Sequence, residues 1–141
     1  MSGYQIVKNG FYPVVFINFN IVSGHAVEKN INLAHSYLRN LATLYGSDPS
    51  KLDMPESYLE LKRAVLDGAV SDKLILLELR KTIPLSEIET IANKKIDSTL
   101  KDDKNIIEGA QKLYGLTLDN FREDVLMPQA YREILQGRMQ L

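Results

Sequence analysis

The chain has 141 residues and a formal net charge of −1, with 45% hydrophobic and 25% charged residues. These values are ordinary for one globular domain, and no basic stripe of the kind that binds nucleic acid is apparent. The sequence contains no cysteine, which excludes disulfides, thiolate catalysis and the usual zinc sites. No apolar stretch approaches the roughly 18 residues of a membrane span, so we expect none in this chain.

The first 22 residues are predicted to form a β element. Segments 4–8 and 11–19 are rich in aromatic and β-branched residues, and Asn9-Gly10 between them is a strong hairpin signal. Pro13 has no N–H to donate to a neighbouring strand. The side of the strand on which that N–H would lie should therefore be at the edge of the sheet. The apolar run 11–17 is too short for a signal peptide.

The spacing of apolar residues after Ser23 predicts a helical domain over 23–141. Ser23 is a suitable N-cap for a helix from Gly24 to about Tyr45, and Gly46 should end that helix. A loop over 46–56 follows. The next helix is predicted at about 57–82 and contains Gly68, which suggests a close helix approach.

The second half of the chain has further helix signals. Ser86 and Glu89 fit a capping box at the start of a third helix, which the polar segment 101–104 ends. A short helix closed by Gly115 comes next. Thr117 or Asp119 should cap the last helix, and Pro128 should kink it.

The predicted fold class is therefore mainly α. A short N-terminal β-strand or hairpin over 1–22 precedes about five helices over 23–141, and both belong to one structural domain.

No combination of side chains in the sequence points to catalysis or metal binding. His25 and His35 are ten residues apart, not the three or four that place two ligands on one helical face. Asp102 and Asp103 fit a solvated inter-helix loop better than a metal site. Neither a nucleophile elbow nor a phosphate-binding glycine loop occurs. We predict no catalytic residue, no metal ligand and no cofactor.

Four tyrosines are candidate polypeptide-binding residues: Tyr37, Tyr45, Tyr58 and Tyr131. An aromatic ring with a polar tip suits such contacts. Each of them also fits a core or boundary position, and the sequence does not separate the two roles.

Four motifs follow one another along the chain. Residues 17–23 (INFNIVS) resemble the pattern V-N-G-x-x-I-S/T, with Phe19 in place of the glycine, and residues 62–76 resemble a long helix written L-x-x-L-I-x-x-K-L-L. Residues 83–89 (IPLSEIE) resemble G-I-x-V/P-S/T-x-x-E-I/V, and residues 115–123 (GLTLDNFRE) resemble G-L-T-x-E-E-F-R-E. In this order, covering about 14–139, they resemble the N-terminal chaperone domain of SurA-type, parvulin-like peptidyl-prolyl isomerases.

The resemblance implies a non-catalytic chaperone or scaffold domain that offers an apolar surface to unfolded or partner polypeptides. It also implies an extracytoplasmic location, in the periplasm or cell envelope, although we identify no signal or anchor in this chain. The family's catalytic parvulin domain would follow the last helix, and we expect it to be absent from this chain. Two alternatives stay open: a non-catalytic fragment of a full-length parvulin-type isomerase, and a stand-alone helical adaptor.

The predicted strand at 14–19 needs a partner, because an unpaired edge invites pairing with another chain. It pairs either with 4–8 in a hairpin docked on the helices or with the same strand of a second copy. The second arrangement gives a two-fold homodimer. A monomer whose first ten residues are disordered is the third alternative.

Overall fold

A computed structural model describes the backbone of residues 4–9, 12–17 and 20–140, and the side chains of 23–140. Helices dominate these residues, which confirms the predicted mainly helical class. The chain divides into two compact units, Met1–Leu74 and Ile75–Leu141.

The backbone before Ser23 is assigned to three short strands: β1 (Tyr4–Asn9), β2 (Tyr12–Ile17) and β3 (Asn20–Val22). They are antiparallel in the order β1-β2-β3. The side chains of residues 1–22 lie outside the described residues, and so do residues 10–11 and 18–19 altogether. The predicted β element and its pairing with a second copy therefore stay predictions.

The first helix, α1 (Gly24–Leu44), has the predicted ends. The hydroxyl of Ser23 accepts a hydrogen bond from the Ala26 N–H at 3.2 Å, which satisfies one of the free donors of the first turn. Gly46 has φ 72°, a left-handed conformation that glycine adopts without strain. The Ser47 N–H then reaches back to the Ala42 carbonyl at 2.8 Å and closes the helix end.

The second helix, α2 (Pro55–Arg80), begins inside the predicted loop, after a 3-10 turn at Pro49–Asp53. Proline is favoured in the first turn of a helix because its missing N–H would have no partner there. Apart from its chain neighbours and the adjacent backbone of its own helix, no described atom lies within 4 Å of the position that a Cβ would take at Gly68. The close helix approach predicted at this glycine is therefore not found among the described residues.

The third helix, α3 (Leu85–Asp102), corrects the predicted capping box. Pro84 is the N-cap residue, without a side-chain cap, and its carbonyl accepts the Ile88 N–H at 3.1 Å. The extended backbone of Pro84 thus starts the helix two residues before Ser86. Ser86 lies within the first turn, where its carbonyl accepts a hydrogen bond from the Thr90 hydroxyl.

Two further helices contain π turns. The fourth helix, α4, consists of Asn105–Gly109 and a π-helical segment Ala110–Tyr114, and Gly115 with φ 64° ends it. The fifth helix, α5, spans 118–139 and combines Leu118–Phe121, a π-helical segment Arg122–Leu126 and Met127–Met139.

Pro128 lies directly after the π turn of α5. A proline within an α-helix lacks one N–H, and its ring clashes with the carbonyl four residues earlier. In α5 the Met127 N–H donates to the Arg122 carbonyl, five residues back, so the widened turn accommodates Pro128. The cap of this helix is Thr117, whose hydroxyl accepts the Asn120 N–H at 3.3 Å.

The second unit has one apolar core. Phe121 contacts Tyr114 with ring centroids 5.4 Å apart, and Arg122 connects α5 to α3 through Asp97 at 2.7 Å and Asn93 Oδ1 at 2.8 Å. The buried apolar side chains of the core are Leu79, Ile83, Ile88, Ala92, Ile96, Ala110, Phe121, Leu126, Ala130 and Ile134.

The helix caps give a matched pair of variants. Thr117→Ala should lower the free energy of unfolding by about 1 kcal/mol, because a free N–H of the first turn loses its acceptor. Ser86→Ala should leave stability unchanged or raise it by a few tenths of a kcal/mol, since Ser86 lies inside the helix, where alanine is preferred. Urea unfolding measures both values, and a larger loss for Ser86→Ala would contradict this assignment of caps.

Phe121→Ala should cost about 3–5 kcal/mol, because it leaves a cavity in the core of the second unit. Leu118→Ala, in the same helix but at an exposed position, is the control and should cost far less. The same unfolding assay compares them. Equal losses would show that Phe121 is not a core residue.

Candidate functional site

Exposed apolar side chains concentrate where α1 joins α2. We call residues 44–59 the α1–α2 connection. It contains Leu44 (70% exposed), Tyr45 (78%), Met54 (57%) and Leu59 (48%). These are four of the eight large apolar side chains that are exposed among residues 23–140. Single exposed apolar residues are common, but a concentration of them marks an interaction surface.

The exposure follows from the course of α1. Its predicted apolar face is buried at Val27, half-buried at Ile31, Leu38 and Leu41, and exposed at Tyr45. Burial of this face thus decreases from the start of the helix to its end. The last turn of α1 therefore presents apolar side chains that no described part of the chain covers.

A carboxylate holds the connection against α1. Asp53 Oδ1 lies 2.8 Å from His35 Nε2, and Asp53 Oδ2 accepts a hydrogen bond from the Arg39 guanidinium. Arg39 Nη1 also lies 3.5 Å from the Pro49 carbonyl oxygen. His35 and Arg39 are four residues apart, so both side chains project from one face of α1. We call Asp53, His35 and Arg39 the Asp53 cluster.

Tyr58 joins the first turn of α2 to the same face of α1. Its ring lies edge-on to the His35 ring, with centroids 5.5 Å apart and an interplanar angle of 83°. Lys62 Nζ lies 4.6 Å from the centroid of the Tyr58 ring, a favourable cation–π distance. Tyr58 is half-buried as a result.

Charge and hydrogen bonding favour the ionised form of Asp53. The hydrogen bond from Arg39 lowers the pKa of Asp53 below its ordinary value of 3.8, and the charges of Arg39 and His35 add to the effect. Partial desolvation opposes the shift. Asp48 also has a lowered pKa, because the side chain and backbone N–H of Ser50 donate to its carboxylate.

The four candidate tyrosines have different environments. Tyr45 is exposed in the α1–α2 connection, Tyr58 lies against His35, and Tyr37 is half-buried on α1. Tyr131 packs on the core of the second unit, where burial, and secondarily the charge of Glu89, raises its pKa. Of the four, Tyr45 offers the most accessible ring.

The sequence interpretation missed three residues of this surface: Leu44, Met54 and Leu59. Leu44 precedes a helix-ending glycine, and Met54 precedes the proline that starts α2. An apolar residue shortly before a helix-ending glycine or a helix-starting proline was the sequence feature that could have indicated Leu44 and Met54.

The described residues contain neither a metal-binding group of side chains nor a membrane-spanning helix. No group of three or more His, Asp or Glu side chains there is arranged to hold a metal ion. No helix in the described part of the chain combines the length and apolar character needed to cross a bilayer.

No protein-family model, curated protein or solved structure matches this chain. The resemblance to SurA-type chaperone domains therefore rests on the quoted motifs alone and stays a prediction.

Acid should release the Asp53 cluster only below the ordinary carboxyl pKa. A carboxyl whose pKa is lower in the folded state than in the unfolded state contributes its full stabilisation at pH values above the unfolded-state pKa. This contribution is lost as the pH falls through the lower, folded pKa. A carbon-13 NMR titration of the Asp53 carboxyl should therefore have its midpoint below that of an unstructured Asp peptide.

The control for this titration is Arg39→Gln, which removes the main cause of the shift. The midpoint of Asp53 should then move up toward the peptide value. A wild-type midpoint at or above the peptide value would contradict the geometry of the cluster.

Proposed function

We propose that this chain is a non-catalytic polypeptide-binding domain that holds unfolded or partner polypeptides on the α1–α2 connection. The observation that supports it is the concentration of exposed apolar side chains at residues 44–59. Full burial of one large apolar side chain is worth about 1.5–3 kcal/mol. Covering four partly exposed ones gives several kcal/mol before the cost of association, which suits weak and reversible binding.

The side-chain types favour binding without strict sequence specificity. Met54 is unbranched and polarizable, so it adapts to differently shaped partners. Tyr45 combines a large apolar ring with a polar tip. Surfaces of this kind accept a range of segments, as a chaperone surface requires.

The resemblance to SurA-type N-terminal domains supports the same proposal. With it come an extracytoplasmic location, in the periplasm or cell envelope, and an N-terminal β element. The edge of that element would add main-chain contacts to a bound polypeptide. A homodimer through the N-terminal strand belongs to the same set of proposals, and light scattering over a range of concentrations tests it.

Two other functions are distinguishable from this one. A non-catalytic fragment of a parvulin-type isomerase would be encoded next to a parvulin domain, which the genomic reading frame decides. A stand-alone adaptor would bind one dedicated partner and no general unfolded chain.

The central test replaces Leu44 and Tyr45 with serine in the full chain. The probe is fluorescently labelled α-lactalbumin, reduced and carboxymethylated so that it stays unfolded, and binding is measured by fluorescence anisotropy. We expect Kd to rise about tenfold or more, because two apolar contacts are lost. Circular dichroism checks that the variant is folded.

Met139→Ser is the matched control, because Met139 is as exposed as Tyr45 (78% each) and lies outside the connection. Its Kd should equal that of the wild type. A double variant that binds as well as the wild type, or a control that loses binding equally, would refute the proposed site.

A further inference from the structure

We infer that Asp53 is the positioning residue of the polypeptide-binding surface. Its bridge to His35 and Arg39 fixes the start of α2, and with it Met54, against α1. The inference rests on the proposed function, because it concerns how the same apolar surface is assembled.

The turn that carries Asp53 has little apolar anchoring. None of its residues, Pro49–Asp53, is buried; Pro49 and Leu52 are half-buried and the other three are exposed. Two further hydrogen bonds of the turn are local: the Ser50 N–H donates to the Asp48 carboxylate, and the Met54 N–H donates to the Lys51 carbonyl at 3.4 Å. The contacts of Arg39 with Asp53 and Pro49, and of His35 with Asp53, therefore hold the turn on α1.

Both carboxylate oxygens of Asp53 are used in this arrangement. One faces His35 Nε2, and the other accepts from Arg39. An asparagine at this position keeps the size of the side chain but has one acceptor oxygen and no charge. Asp53→Asn therefore removes one of the two contacts and weakens the other.

The Asp53 cluster links the two halves of the apolar surface. Leu44 and Tyr45 follow Arg39 on α1, whereas Met54 directly follows Asp53. Leu59 follows Tyr58, whose ring contacts His35. Releasing Asp53 loosens the turn that precedes Met54, whereas the contact between Tyr58 and His35 still holds the first turn of α2, which precedes Leu59. A polypeptide that contacts both halves then has to order the connection on binding, which costs affinity.

The test measures binding of the same labelled α-lactalbumin to the full-length Asp53→Asn variant. We expect Kd to rise about fivefold to tenfold. Glu60→Gln is the matched control: it removes one exposed carboxylate of the neighbouring α2 surface outside the cluster, and its Kd should be unchanged. Hydrogen exchange at the Met54 amide should be faster in Asp53→Asn and unchanged in Glu60→Gln.

A double-mutant cycle separates positioning from general destabilisation. Arg39→Gln should weaken binding as Asp53→Asn does, and the double variant should lose clearly less than the sum of the two single losses, because both single variants break the Asp53–Arg39 contact. If Asp53→Asn does not fold, Arg39→Lys is used. It keeps the charge but loses the planar fork, and it should weaken binding in the same direction.

The outcomes distinguish this inference from the proposed function. If the Leu44 and Tyr45 double serine variant loses binding while Asp53→Asn and Arg39→Lys bind like the wild type, the inference is wrong and the proposed function stands. Additive effects in the cycle, or an equal loss in Glu60→Gln, would also overturn the inference. If the wild type does not bind the unfolded probe, the proposed function is refuted, and this inference with it.

Discussion

Among residues 23–140, burial of apolar side chains is distributed unevenly, and the stability of the second unit depends on that distribution. Of the buried apolar residues among 23–140, ten belong to the core of the second unit, and Val27 and Val70 belong to the first. Apolar burial is the main favourable term in folding. The second unit is therefore stabilised chiefly by its core. The described helices of the first unit depend more on caps, charge-assisted hydrogen bonds and half-buried side chains.

This difference bears on the proposed binding of polypeptides. Regions with few buried apolar contacts open locally at lower free-energy cost, and binding surfaces are drawn from such regions. The α1–α2 connection combines exposed apolar side chains with a polar attachment to α1. An attachment through charged groups leaves the apolar side chains available, whereas an apolar attachment would have buried them.

The sequence predicted those features of the fold that short-range chemistry determines. Ser23, Gly46, Gly115 and Thr117 act at helix ends as expected, because each satisfies or permits backbone geometry within a few residues. The capping box at Ser86 was wrong, since Pro84 starts the helix earlier.

The candidate site was less accessible to sequence reasoning. Arg39 and Asp53 are fourteen residues apart and meet only because the intervening turn folds back on α1. The exposure of Leu44 and Met54 likewise depends on which side chains pack nearby. The local sequence pattern does not predict that packing. The sequence interpretation named four tyrosines as candidate polypeptide-binding residues, yet only Tyr45 among them is largely exposed.

The π turn of α5 has a consequence for the alignment of this helix with related sequences. Five residues of a regular α-helix advance by about 500°, so Phe121 and Leu126 would lie roughly 140° apart around its axis. In α5 both are buried, as are Ala130 and Ile134 at the usual spacing of four. The π turn thus acts as a one-residue insertion that keeps a single apolar face continuous. A homologue lacking one residue between Phe121 and Leu126 would preserve this face with a regular helix, provided that it also lacked Pro128.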